Sequence, residues 1–255
     1  MDYIDYFDSD RMRIIGPAGM IAIVAAFIYY WFPKRVVLTN FLERFFPKII
    51  TRKTILDKFV KMDQPKYIAL TFDDLPFGWH QEIINLLNKY NMKATLFIIS
   101  SYVTNENKQI FVDAVKNGHQ LGNHGKTNRM HARLSLVELE KEIDDCDKII
   151  KSIYEEAHVS LPKKMCYRPG SGFFTNKMID LAAKKNYHVT LGSVYPHDPF
   201  VPFSWINYYY VIGHLSEGDI VILHDLPWTK PMLELLLPWL VSKNYESVTV
   251  DRLID

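Results

Sequence analysis

The 255-residue chain has only two cysteines, Cys146 and Cys166, too few and too far apart in sequence for a disulfide framework or a cysteine-ligated zinc site. It has almost no net charge: 30 basic against 29 acidic residues leave +1, which argues against a nucleic-acid-binding surface, so no nucleic-acid partner is expected. It has no internal repeat, no low-complexity segment and no Asn-X-Ser/Thr sequon. Two stretches also lack charge altogether, Ile14 to Phe32 and Tyr67 to Phe72, and these organise the rest. What is abundant is apolar content, 48% of residues, enough for the core of one large domain or of a domain with an appendage.

The first uncharged stretch, IIGPAGMIAIVAAFIYYWF, has Arg11 and Arg13 before it and Lys34 and Arg35 after it. At about 1.5 Å per residue it is long enough for a hydrocarbon core of about 30 Å. A signal peptide would end in small residues, whereas this run ends in Tyr29, Tyr30, Trp31 and Phe32, an interfacial aromatic belt. The expectation is a single-pass membrane protein: an acidic tail over 1–13, a retained transmembrane helix over 14–32 and an amphipathic juxtamembrane segment over 33–65. That segment reads as two helical pieces, with Leu38, Phe41, Leu42, Phe45 and Phe46 in one and Ile55, Leu56, Phe59 and Val60 in the other. Lys34, Arg35, Arg44, Lys48, Arg52 and Lys53 outnumber the basic residues on the other side, which by the positive-inside rule places residues 66–255 in the cytoplasm.

The second uncharged stretch belongs to YIALTFDDLP, a strand buried on both faces that delivers Asp73 and Asp74 into a turn. Paired carboxylates there read either as a site, because ligands collect at the carboxyl ends of parallel strands, or as the N-cap of a following helix. From Lys66 onward strand-like runs alternate with helical periodicity. The strands are Tyr67–Phe72, Ala94–Ile99, His119–Asn123, Lys164–Tyr167, His188–Ser193, Asp219–His224 and Ser247–Val250. The helices are Gln81–Tyr90, Asn107–Asn117, Ser135–Tyr154, Thr175–Lys185 and Lys230–Lys243. The class is therefore α/β with a parallel sheet, closed as a barrel or open and doubly wound. Asp73 and Asp74, His124, Arg168, Asp198, and His224 with Asp225 all fall at or just beyond strand ends, the pattern of a site at one mouth of a barrel. Asp74, His124 and His131 offer one carboxylate and two imidazoles, a set suited to zinc or a similar divalent ion.

Over roughly Lys66 to Leu253 these segments resemble, in order, the five motifs of the NodB-type polysaccharide deacetylases, carbohydrate esterases that include chitin and peptidoglycan N-acetylglucosamine deacetylases. TFDDLP resembles the motif carrying a general base and a metal ligand, and NHGKTNRMH resembles the histidine motif that completes the ligand set. YRPGSG resembles the arginine motif, VYPHDP the motif whose aspartate tunes the acid histidine, and VILHD the motif carrying an acetyl-pocket leucine and the general acid.

The resemblance implies a distorted (β/α) barrel and metal-assisted hydrolysis of an N-acetylated carbohydrate, a substrate class found mostly outside the cytoplasm, which opposes the side given by the positive-inside count and leaves the side of residues 66–255 open. Asp73 would be the base, His224 the acid, and Arg168 and Asp198 their partners. Asp74, His124 and His131 would hold zinc, while Ser171, Leu223 and Trp228 would contact substrate or oxyanion. One departure is plain: the family's histidines usually stand four apart, and His124 and His131 stand seven apart. Trp228 reads equally as a sugar-stacking residue and as a packed helix-start residue. Two rival expectations remain, a non-catalytic barrel that binds carbohydrate or a protein partner, and a hydrolase of a small non-carbohydrate amide.

Overall fold

The five residues Ile68 to Phe72, four of them apolar, are almost entirely withdrawn from solvent, and the sheet is built outward from the strand that holds them, β1 (Lys66–Leu75). In the computed structural model, which describes residues 34–52 and 64–255, β1 pairs in parallel with β2 (Ala94–Ile98) on one side and β6 (Ile220–His224) on the other. β3 (Gln120–Asn123), β4 (Met165–Tyr167) and β5 (Tyr187–Val189) follow in the order β5-β4-β3-β2-β1-β6, and β7 (Tyr245–Ser247) pairs with the start of β1. Beyond β5 the chain crosses to β6: Ser193 N–H donates to the Ile220 carbonyl and Ile222 N–H to that of Val194. Lower down, Ile50 bonds to Val189 and Leu191, and Arg52 bridges to Asp219. The hydrogen-bonding path thus returns to β1.

Successive strand residues face opposite sides of a sheet, and the two cores follow that alternation. Ile68, Leu70 and Phe72, with Leu96, Val221 and Leu223, pack outward in the large core shared with the helices. Ala69, Phe97, Cys166 and Ile220 face inward, where Val250 and Leu253 of the short helix α8 (Val250–Leu253) join them. The helices between are α2 (His80–Lys89), α3 (Lys108–Lys116), α4 (Leu136–Ala157), α5 (Asn176–Lys184), α6 (Ser204–His214) and α7 (Thr229–Ser242), with α1 (Lys34–Phe45) ahead of the sheet. Ser135 opens α4 with a capping box, its side chain accepting from Glu138 N–H while Glu138 reaches back to Ser135.

Three expectations need adjustment. The last strand is Tyr245–Ser247 rather than 247–250, because Val250 N–H is taken by the Thr95 hydroxyl and the chain turns into α8. Helix α6 carries the tyrosine run Tyr208–Tyr210, which had no assigned element. Residues 49–52, expected in the juxtamembrane segment, hydrogen-bond into the sheet. The expected transmembrane stretch 14–32 and the second amphipathic piece around 55–60 lie outside the described residues. Among those described, no helix is long and apolar enough to cross a membrane.

Candidate active site

Alternation along β1 should send Asp73 and Asp74 to opposite faces. A register shift between Phe72 and Leu75 prevents this, and Asp74 adopts φ 62, a left-handed conformation that aspartate tolerates better than most residues. Asp73 keeps the inward direction, paired with His224 across the β1–β6 ladder, and Asp74 is swung onto the same mouth.

Asp73 is buried against Arg168, whose Nη1 donates to Oδ1 at 2.6 Å. The same guanidinium donates to the Thr71 hydroxyl at 2.8 Å and to the carbonyls of Thr190 and Leu191 at 3.0 and 3.1 Å. Its carbon lies 4.0 Å from the Phe97 ring centroid. A fully buried arginine is tolerable because each of these contacts replaces lost water.

His224 faces Asp198 in a second braced pair. Its Nδ1 lies 2.9 Å from Oδ1 and its backbone N–H donates to Oδ2 at 2.8 Å. Burial alone would lower the imidazole pKa. The charge and hydrogen bond of Asp198, followed by the charges of Asp73 and Asp74, outweigh that and raise it to about 9. His224 is therefore an imidazolium at neutral pH, the form of a general acid. Trp228 is half-buried ahead of α7 and donates its indole N–H to the Asp198 carbonyl at 2.9 Å, which favours the packed helix-start reading over the sugar-stacking one.

The two histidines expected as metal ligands part company. His124 Nδ1 lies 2.8 Å from the Arg168 carbonyl, which can only accept, so Nδ1 carries the proton and Nε2 is left facing Asp74 Oδ1 at 3.4 Å. His131 has the opposite arrangement. Its Nδ1 accepts from Gly170 N–H at 3.1 Å and meets the Tyr167 hydroxyl at 2.7 Å, which puts the ring proton on Nε2. That Nε2 is buried and has no hydrogen-bond partner among the described residues. The ring stacks on Tyr167 and fills the place where a side chain on Gly125 would stand.

Among the described residues His131 thus does not close a three-ligand group with Asp74 and His124, its ring centroid standing 6.4 Å from that of His124. Among the described residues no three His, Cys, Asp or Glu side chains gather closely enough to hold an ion. Burial would raise the Asp74 carboxyl, but hydrogen bonds from His124 and Asn128 and the charges of His124 and His224 hold it below the usual carboxylate range. For a divalent cation the fit is partial: Asp74 and, once its Nε2 proton is displaced, His124 aim two donors at one point, and among the described residues no second imidazole completes a three-ligand group with them.

Leu223 is also misplaced as a pocket residue. It packs outward in the large core, whereas Ile222, two residues from His224, shares the histidine's face and lies over Gly192. Ser171 is exposed at the rim in a left-handed turn, φ 64.

Tyr195 and Glu142 escaped sequence reasoning, and Asp225 stood out there only for its place at a strand end. Tyr195 lies 5.9 Å ring to ring from His224, and its hydroxyl is pushed up by burial and then by the charges of Asp198, Asp73 and Asp74. Its place within VYPHDP was the available signal. Asp225 is buried and accepts the backbone N–H groups of Phe77, Gly78 and Trp79, fixing the turn after the two aspartates. Glu142 on α4 accepts from the N–H groups of Lys126 and Thr127 and from Arg129, fixing the loop that carries Asn128.

Comparison with known proteins agrees with this geometry. A family model described as polysaccharide deacetylase matches residues 61–190. A peptidoglycan-N-acetylglucosamine deacetylase of Bacillus cereus is 29% identical over 200 residues, covering 74% of this chain and 88% of that protein. Several larger relatives are spanned over 31% to 53% of their length. The structure of peptidoglycan deacetylase PdaC from Bacillus subtilis superposes with a TM-score of 0.66 at 28% identity, over 74% of this chain and 90% of that one. A CE4 family pseudoenzyme of Bacillus anthracis shares the fold, with a TM-score of 0.70 at 22% identity over 84% of this chain and 71% of that one.

Proposed function

The chain belongs to the polysaccharide deacetylase family, hydrolases of carbon–nitrogen bonds other than peptide bonds, and from that premise we propose that it removes N-acetyl groups from a carbohydrate containing N-acetylglucosamine. The observation that carries this reading is the pair of pre-set partners at one mouth, Asp73 held by Arg168 and His224 held by Asp198. A protein that only binds has no need for both. We read the closed hydrogen-bonding path as the distorted barrel that the family resemblance implies.

With the acetamide carbonyl carbon at the mouth, Asp73 takes a proton from the attacking water as the new carbon–oxygen bond forms. Arg168 occupies Oδ1, which leaves Oδ2 without a protein hydrogen bond among the described residues and fixes the direction in which the base accepts. The imidazolium of His224 then gives its Nε2 proton to the departing nitrogen as the carbon–nitrogen bond breaks, releasing acetate and a free amine. Asp198 keeps that ring oriented and charged until transfer. Ile222 and Tyr195 border the space beside His224, where the acetyl methyl and the sugar would sit. Asp74 and His124 would hold a divalent cation, which when bound supplies Lewis acidity to the carbonyl and to the water.

Acetate release from N-acetylglucosamine oligomers tests the reading, with Asp73→Asn as the control that must lose it. The incomplete ligand set favours a second reading, a non-catalytic barrel, in which the parent chain releases no acetate and Asp73→Asn leaves carbohydrate binding unchanged. Acetate from small amides but none from oligomers would instead assign a small-molecule substrate. The uncharged run Ile14–Phe32 supports a further proposal, a single membrane anchor. Protease digestion of sealed vesicles of known sidedness would place the domain on one side.

A further inference from the structure

Residues 49–52 lie ahead of the stretch 61–190 that the family model matches, yet they are built into the edge of the sheet. β5 ends the strand order, so the backbone that continues it through Thr190 and Leu191 has β4 on one side only. Ile50 takes the other side. Its N–H donates to the Val189 carbonyl at 2.9 Å, and its carbonyl accepts from Leu191 N–H at 2.8 Å. In such a parallel bridge one residue holds both neighbours of its partner, which leaves the Thr190 carbonyl facing the opposite way, where it accepts from Arg168 Nε at 3.0 Å. The Leu191 carbonyl accepts from Nη2 of the same guanidinium at 3.1 Å, and Nη1 donates to Asp73 Oδ1 at 2.6 Å. A continuous path of short contacts therefore joins Ile50 to Asp73. The far end of the segment is fastened as well. Arg52 bridges to Asp219, and its Nε and Nη2 donate to the two carboxylate oxygens of Glu43 on α1 at 2.8 and 3.3 Å. The Thr51 hydroxyl, itself buried, donates to Glu43 Oε1 at 3.1 Å, and Ile49 is buried in the large core.

We propose that Ile50 and Arg52, with Glu43, are positioning residues for the base: they fix the two carbonyls that aim Arg168 at Asp73 Oδ1, and so hold Oδ2 in its direction toward the attacking water. The inference rests on the hydrolase reading for the role of Asp73. Their route to the chemistry runs through Thr190, Leu191 and the guanidinium, and none of them lines the space for substrate. Loosening the segment lets the guanidinium turn and displaces the carboxylate that it holds. Small displacements of a reacting group cost rate, and a contact that matters only as the reaction proceeds shows in kcat and leaves KM as it was.

The test combines acetate-release kinetics with NMR of isotope-labelled arginine in the full chain, on the parent, Ile50→Pro, Arg52→Met, Glu43→Gln and, as a control, Lys48→Met. Ile50→Pro removes the N–H that Val189 accepts. Lys48 belongs to the same segment but pairs with the exposed Asp180 at 3.3 Å, outside the path to Asp73. In the first three variants kcat should fall about ten-fold with KM within about two-fold of the parent. Solvent exchange of the Arg168 Nε–H, its signal identified by its loss in Arg168→Lys, should accelerate about ten-fold while the amides of β1 keep their rates, which separates local loosening from global unfolding. Lys48→Met should change neither readout. Should Ile50→Pro fail to fold, Arg52→Met and Glu43→Gln, both at partly exposed side chains, carry the test. Unchanged Nε–H exchange in the folded variants, faster exchange with an unchanged kcat, or a raised KM in place of a lowered kcat would each overturn the proposal. Faster exchange in the variants with no acetate released even by the parent would sink the hydrolase reading and leave Arg168 anchored as proposed.

Discussion

The two sides of the mouth are finished to different degrees. On the acid–base side, each charge meets an opposite charge at hydrogen-bond distance, Asp73 with Arg168 at 2.6 Å and His224 with Asp198 at 2.9 Å. On the cation side, Asp74 keeps a quarter of its side chain exposed, and His124 approaches it only to 3.4 Å. Buried charges must be paired by folding itself, because an unpaired one costs several kcal/mol. Donors intended for an ion can be left apart, since the ion supplies the missing charge. The difference teaches that the acid–base machinery is part of the folded core, whereas the proposed cation side lies at the edge of that core, with His124 buried and Asp74 partly open to solvent.

The largest predicted break of this contrast is Arg168→Ala. It strands the buried Asp73 carboxylate and frees two carbonyls, and denaturant unfolding should show a loss of about 3–5 kcal/mol. By contrast Asn128→Ala should leave stability within about 0.5 kcal/mol, the usual range for exposed positions. A loss under 1 kcal/mol for Arg168→Ala would show that the pair is not part of the core. Next comes Asp73→Asn, for which acetate release should fall about 10²–10⁴-fold, the range of a lost general base, while ion affinity is retained.

The third prediction concerns pH. His224 in the ion-free protein should titrate at about 9, above its ordinary 6.5, when followed by NMR with chelator present. A raised folded pKa means that this contribution to stability is complete below pH 6.5 and disappears as pH rises through about 9. Asp198→Asn removes the leading charge that raises the pKa. The titration should move down toward 6.5, and the loss of stability across that window should shrink. A titration that stays near 9 in the variant would place the cause elsewhere. The smallest effect is expected from Trp228→Phe, which removes one N–H donated to the Asp198 carbonyl. Stability should fall by about 1 kcal/mol with KM unchanged. A raised KM with unchanged stability would restore the sugar-stacking reading.

The acid–base side was legible in the sequence because its residues sit at strand ends within short motifs: Asp73 after five buried residues, Arg168 after β4, His224 closing β6. The cation side was not, because its logic is non-local. His131 is set in place by a Gly170 N–H 39 residues away, and the loop before it by a Glu142 carboxylate that reads as an ordinary helix-surface charge. Leu223 could have been corrected from sequence alone, since alternation along β6 gives His224 the face of Ile222. Helix α6 was hidden for another reason: SWINYYYVIGH is aromatic around most of its circumference, so no stripe marks its buried side at Asn207 and Val211.

The measurement that bears most directly on the central claim is acetate and free amine quantified together from N-acetylglucosamine oligomers, with the full chain loaded with manganese and, separately, with zinc. Equal amounts of both products, absent in Asp73→Asn, are the predicted result. No acetate from a chain shown by titration to hold its ion would contradict the account.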